Sequence, residues 1–293
     1  MKKALLLLIV LTILLYLIPL NVRVMFPPDE TRYAEIGREM IASGDWVTPR
    51  LNGVLYFEKP VFGYWAFAVS QLLFGEHAFA IRLPCVLATL LSALALFFLT
   101  RRFSGGGEKV GLLASTVFLL TPLVFALGIA ATLDPIFSAF LTIAMVFFYY
   151  AAQTEKLERA GYLFLFGLAA GLAFLTKGFL AFVLPGLSIF AWLLWTRRWK
   201  EMITLPWIPL IGVLLVVLPW AILIHLDQPA YWEYFIYDEH IKRFLEKEQH
   251  PEPFWFFIPV LLGGLGWLLF LTPSAVKGFG RENWKQGFIQ YLV

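Results

Sequence analysis

Val61-Phe62-Gly63-Tyr64-Trp65-Ala66-Phe67-Ala68-Val69-Ser70-Gln71-Leu72-Leu73-Phe74 is an apolar run of ambiguous length, and the topology of everything after it depends on whether it crosses a membrane. It is apolar enough to enter a bilayer, yet shorter than the ~20 residues that a hydrocarbon core requires of a helix. The charges that follow decide between the two readings. If 61–74 crossed, the next apolar segment, 79–100, would deliver Arg101, Arg102 and Lys109 to the outside. If it lies flat in the interface, those cations fall in the cytoplasm, as the positive-inside bias requires. The second reading is adopted here.

The rest of the chain then falls into register. Of its 293 residues, 60% are hydrophobic and 15% charged, with a mean hydropathy of +0.77, which no soluble domain of this size could bury. The expected fold is an all-α polytopic transmembrane bundle of about eight spans, near 4–20, 79–100, 110–130, 134–151, 161–176, 178–196, 203–225 and 255–272. Met1-Lys2-Lys3 precedes the first span, and no small-x-small cleavage site follows it, so it reads as an uncleaved span with a cytoplasmic N-terminus. Each inside loop is basic, carrying Arg101, Arg102, Lys109, Lys156, Arg159, Arg197, Arg198, Lys200, Lys277, Arg281 and Lys285 between them. The single Cys85 excludes an internal disulfide, and a net charge of +3 without a basic aromatic stripe excludes nucleic acid.

The outside segments are 21–78, the turns near 131–134 and Lys177, and 226–254. The first opens with Phe26-Pro27-Pro28-Asp29-Glu30-Thr31-Arg32-Tyr33. The two prolines stop any helix arriving from the first span and place Asp29 at the start of a new one. Capping alone would explain an Asp there. Tyr33, Ile36, Gly37, Met40 and Ile41 then recur at helical spacing opposite Arg32, Glu35, Arg38 and Glu39, the pattern of an interfacial helix ended by Gly44.

Nearly all charge not needed for orientation lies on this outer face: Asp29, Glu30, Glu58, Lys59, Asp134, Lys177, Glu239, His240 and Arg243. The middles of the spans are almost free of ionisable groups, unlike a charged transport pathway. Glu58 and Lys59 are adjacent, so on an extended segment they face different partners. Asp134 in Thr132-Leu133-Asp134-Pro135 reads equally as a cap. Lys177 is the sole charge in its turn, against the inside bias. Glu239 and Arg243 could simply pair at i, i+4. One His among scattered carboxylates is a weak metal signal, and no nucleotide cradle or serine-hydrolase elbow occurs. Acids and cations at an outer membrane surface suit group transfer from a lipid-linked phosphate donor.

Pro28-Asp29-Glu30-Thr31-Arg32-Tyr33-Ala34-Glu35, Gly44-Asp45-Trp46, Glu58-Lys59-Pro60, Thr132-Leu133-Asp134-Pro135, Thr176-Lys177-Gly178 and Glu239-His240-Ile241-Lys242-Arg243-Phe244 stand in the order of one family. The chain resembles the bacterial aminoarabinose transferases of lipid A modification and their relatives among protein O-mannosyltransferases, integral glycosyltransferases of the GT-C fold. The resemblance runs to about residue 270. It implies juxtamembrane helices in the first outer loop and Asp29 as the principal catalytic carboxylate beside Glu30. Lys59, Arg243 and Lys177 would bind donor phosphate or acceptor, with Asp134, Tyr33 and Glu239 in support. Glu58 and His240 would be the ligands of a divalent metal, zinc or magnesium, if one is used; no other cofactor is implied.

The implied donor is a polyprenyl-phosphate sugar, its tail in an apolar groove between spans, and transfer would invert the anomeric centre. The acceptor would be a lipid A-like glycolipid or a protein hydroxyl, and the setting the outer face of a bacterial inner membrane. Family members continue through further spans and a periplasmic domain, so 1–293 is expected to be the N-terminal transmembrane module of a longer architecture. A rival from another class is a lipid or solute transporter, which would need polar groups deep in the spans.

Overall fold

The computed structural model describes residues 1–103, 105, 107–242, 245, 253 and 255–273. Its helices are α1 (Lys2–Asn21), α2 (Asp29–Ser43), α3 (Phe62–Phe74), α4 (Ala78–Phe103), α5 (Gly107–Leu119), α6 (Pro122–Gly128) and α7 (Leu133–Ala152). They continue with α8 (Lys156–Lys177), α9 (Leu180–Trp195), the short α10 (Glu201–Thr204), α11 (Trp207–Asp227) and α12 (Tyr231–Glu233), which runs into a π-helical stretch, Tyr234–Lys242. A further apolar helix starts at Phe257. The only strands among the described residues are a two-residue hairpin pair, Arg50–Leu51 and Val54–Leu55. The chain is an all-α multi-pass membrane protein.

About eight spans are expected from the sequence, and among the described residues the corresponding segments differ in length and continuity. By length and composition five helices can cross a membrane, or six if a bent pair is one span. Segment 110–130 is not one helix, because Pro122 starts a new one and α5 and α6 meet at 67°. Segment 178–196 loses its first turn to Gly178, whose φ of +87° ends α8 and leaves α9 with 16 residues around Pro185. Segment 255–272 is likewise a shorter apolar helix.

Helix α3 has 13 residues, about 20 Å long, so it cannot cross. It begins just after Glu58-Lys59, which contact outer-face groups, and is followed at once by α4, whose Arg82 contacts Glu30. Both of its ends therefore lie at one level, as the interfacial reading requires. At the far end of α4, Arg101 reaches Met1, and Glu108 takes the N-terminal ammonium. Arg101 thus sits beside the N-terminus.

Packing fixes the outer loop on the bundle. Helix α2 lays Ala34, Ile36, Gly37 and Met40 against α3, and Gln71 donates to the Ala34 carbonyl across that seam. Gly44, at φ +72°, ends α2 in the left-handed conformation that glycine adopts without strain. The Asp45 carboxylate then accepts from the N–H groups of Val47 and Thr48, forming the expected turn. Trp220 of α11 and Trp65 of α3 donate to the carbonyls of Val47 and Trp46.

Below this cap, α8 is the central helix, packed on α7 and α11. Gly167 and Gly171 sit four apart on α8 and face Pro209 and Val213 of α11, so closely that a Cβ on Gly167 would lie 2.1 Å from the Pro209 carbonyl oxygen. Small residues at this spacing let membrane helices approach and gain dispersion energy, where lipid offers no hydrophobic drive.

Candidate active site

Asp29 is the first residue of α2, and Pro28, which has no acceptor side chain, holds the cap position. Capping is therefore not its task. Its half-exposed carboxylate lies 4.0 Å from Arg32, one turn on. Arg32 in turn donates to the Tyr56 hydroxyl at 3.1 Å and stands 3.8 Å from Glu58. Burial, then the adjacent Glu58, push the Tyr56 hydroxyl above its ordinary range. Tyr33 stacks on Phe67 at 5.9 Å, and burial followed by the charge of Asp29 raises its hydroxyl too. Both phenols stay neutral donors at ordinary pH.

Lys59 turns the other way from Glu58. Its ammonium pairs with Glu239 of the last outer loop and also donates to the Glu58 carbonyl at 2.9 Å. His240, next along, donates from Nδ1–H to the Phe235 carbonyl, 2.6 Å away, and its ring packs on Phe235 and Phe179. A Cβ on Gly178 would come within 3.3 Å of His240 Nε2 and 2.9 Å of Phe235. Glycine there lets the two outer segments touch. Its neighbour Lys177 forms an ion pair with Asp134 at the start of α7.

Contacts run from Asp29 through Arg32 and Glu58-Lys59 to Glu239-His240, and the His240 ring on Phe179 joins these to the segment whose Lys177 pairs with Asp134. Five stretches of the sequence supply this polar surface. Arg243 lies outside the described residues, as do Lys277, Arg281 and Lys285. No three His, Cys, Asp or Glu side chains gather as a metal site among the described residues. Glu58 faces a guanidinium, and His240 has one ring nitrogen committed to a carbonyl. The Nδ1 bond leaves Nε2 of His240 open, the arrangement that metal-binding histidines ordinarily have.

Glu30 stands apart from the other acids. It is 1% exposed, and each carboxylate oxygen accepts three hydrogen bonds, from Arg82, Arg23 and a backbone N–H, that of Ala131 or of Phe26. Burial opposes ionisation, but these donors outweigh it and lower its pKa from 4.5 to about 2. With its lone pairs taken, Glu30 is placed to anchor the loop rather than to meet a substrate. The sequence pairs it with Asp29, whereas its partners in the fold are the two arginines. The signal was present in Arg82, a lone cation near the start of an apolar span, where charge is costly unless paired.

A cavity of about 670 Å³ runs between α8, α9 and α11, from Phe179 and Trp232 beside the polar surface down to Leu205. A second apolar groove, about 420 Å³, lies between α3, α4 and α7, with Phe62, Trp65, Leu87 and Phe140 on its walls. An open cleft of about 450 Å³ flanks Arg32, bounded by Pro28, Thr31, Glu35 and Asn52.

A helical membrane bundle that collects acids and bases at one end, above an apolar cavity, has the architecture of a GT-C membrane protein. The chain belongs to the dolichyl-phosphate-mannose-protein mannosyltransferase (PMT) family, which it matches over residues 1–235. It is 44% identical over 286 residues to the undecaprenyl phosphate-alpha-4-amino-4-deoxy-L-arabinose arabinosyl transferase of Edwardsiella ictaluri, covering 97% of this chain and 52% of that protein. Against the transferase of the same name from Yersinia enterocolitica it is 44% identical, covering 92% and 49%. The crystal structure of ArnT from Cupriavidus metallidurans bound to undecaprenyl phosphate superposes with a TM-score of 0.85 at 28% identity, over 94% of this chain and 51% of that one. The apo form gives 0.80 at 30% identity, over 89% and 48%. The chain spans about half the length of the relatives it matches.

Proposed function

We propose that this chain is the N-terminal transmembrane module of a glycosyltransferase that moves a sugar from a polyprenyl-phosphate donor to an acceptor at the outer face of a bacterial inner membrane. The observation that carries this reading is the polar surface from Asp29 to Asp134 at the mouth of the 670 Å³ apolar cavity. A lipid tail fits the cavity, and its phosphate would then emerge beside Lys177 and Lys59. The names of the arabinosyl transferase relatives support an aminoarabinose-type sugar as the group transferred.

In this reading Asp29, the acid of the cluster that is half exposed and uninvolved in capping, orients the acceptor and takes its proton. Lys59 and Lys177 stabilise the departing phosphate, exchanging Glu239 and Asp134 for it, and Arg243 adds to that charge. Tyr33 and Tyr56 offer neutral hydroxyls to the sugar. Tyr64 packs beside both and is fully buried, which backs their rings. Displacement is direct and inverts the anomeric centre. The second apolar groove supports an acceptor with acyl chains, a lipid A-like glycolipid, over a protein hydroxyl.

The test is mass spectrometry of the protein as its natural gene encodes it, mixed with polyprenyl-phosphate sugars and a native lipid extract. Release of polyprenyl phosphate with a sugar-bearing lipid is the expected result. Intact donor, or donor moved between leaflets without release, would replace this reading by a transporter.

A further inference from the structure

We propose that Arg82 and Arg23 are positioning residues: by holding Glu30 they fix Asp29 in relation to the turn that carries Asp134. The proposal rests on the transferase reading for its kinetic consequence, and on geometry alone for its structural one.

Arg82 is fully buried and uses its guanidinium completely. Nε and Nη2 grip the two oxygens of Glu30 at 2.8 and 2.9 Å, while Nη1 and Nη2 also donate to the carbonyls of Leu20, Arg23 and Val24 at the end of α1 and just beyond. Arg23 grips the same carboxylate at 2.6 and 2.9 Å and also donates to the Ile129 carbonyl at 3.2 Å. Glu30 accepts from the Ala131 N–H at 2.9 Å. One carboxylate therefore joins α1, α2, α4 and the 129–131 turn.

Asp29 and Glu30 are neighbours on a helix, so their side chains point about 100° apart. Burying Glu30 in this hub turns Asp29 outward, toward Arg32 and Tyr33. The turn held through Ala131 leads three residues later to Asp134, the partner of Lys177. The hub thus sets both ends of the polar surface. Paired forks of this kind fix direction as well as distance, which a lysine in the place of Arg82 would not.

Two measurements test it. Nitroxide labels on Thr31→Cys and Ser138→Cys, both exposed positions, report the α2-to-α7 distance without any reaction; the native Cys85 is buried. The distribution should be narrow in the otherwise wild-type protein and broaden or shift with Glu30→Gln, Arg82→Lys or Arg23→Gln. An unchanged distribution in all three overturns the proposal. Arg23 is partly exposed, so its variant decides the matter if the other two fail to fold. Kinetically, Glu30→Gln should lower kcat at least ~10-fold with donor KM within ~3-fold, yet change the rate of Asp29→Asn by less than ~2-fold. Equal losses in both backgrounds would mean a merely structural hub. A broadened distribution in a protein that transfers no sugar would uphold the hub and reject the transferase.

Discussion

Arg82 and Glu30 meet in a two-bond fork, side chain to side chain, with 1% and 2% of their surfaces exposed. A charge pair this deep survives because every donor and acceptor is used, and removing one partner strands the other. The pair seals the first outer loop onto the bundle.

Its pH dependence follows from the sign of the shift. Glu30 has its folded pKa depressed from 4.5 to about 2, so its stabilisation is fully present above pH 4.5 and is lost as the pH falls toward 2. Wild-type melting temperature should hold from pH 7 down to 4.5 on this account and drop below it. Glu30→Gln should melt lower at pH 7 and lose less on acidification. Parallel melting curves for the two proteins would contradict the assignment.

The Lys59–Glu239 pair predicts a split between binding and chemistry. Lys59→Ala should raise the donor KM about 10-fold or more, equivalent to ~1.4 kcal/mol. Glu239→Gln removes the carboxylate that competes with the phosphate for Lys59, so its donor affinity should equal or exceed that of wild type. Titration of polyprenyl phosphate against both variants checks this, and wild-type affinity in Lys59→Ala would remove the phosphate role.

Gly178 holds a φ of +87° and touches Phe235 and His240. Gly178→Ala imposes both backbone strain and a clash, so a loss of roughly 1–3 kcal/mol of stability is expected. A thermal melt reads it directly; an unchanged midpoint would mean that the two outer segments do not meet there.

Topology is checked by labelling. With Cys85 buried, Asn52→Cys should react with an impermeant maleimide from the outside and Glu108→Cys from the cytoplasmic side only. Reaction of both from one side would undo the reading of 61–74 as interfacial.

Much of this was legible in the sequence, for physical reasons. Hydropathy and the positions of Arg101, Arg102 and Lys109 yield the bundle and lay α3 in the interface, since bilayer thickness and charge bias act on composition alone. Adjacent Glu58 and Lys59 facing different partners followed from backbone geometry. Span lengths were less legible, because Pro122 and Gly178 break helices at points that hydropathy averages over. The partners of Glu30 were hidden too. Arg23 and Arg82 are seven and 52 residues away, and nothing in spacing reveals a contact made only when α1, α4 and the 129–131 turn come together.

The most direct test of the central claim is single-turnover transfer from a polyprenyl-phosphate sugar, comparing wild type with Asp29→Asn at saturating donor. The account predicts a fall of ~10²–10⁴-fold in the rate, the range expected when a positioned acid–base group is lost, with donor affinity retained. A rate within about two-fold of wild type would show that Asp29 is not the group on which the site is built.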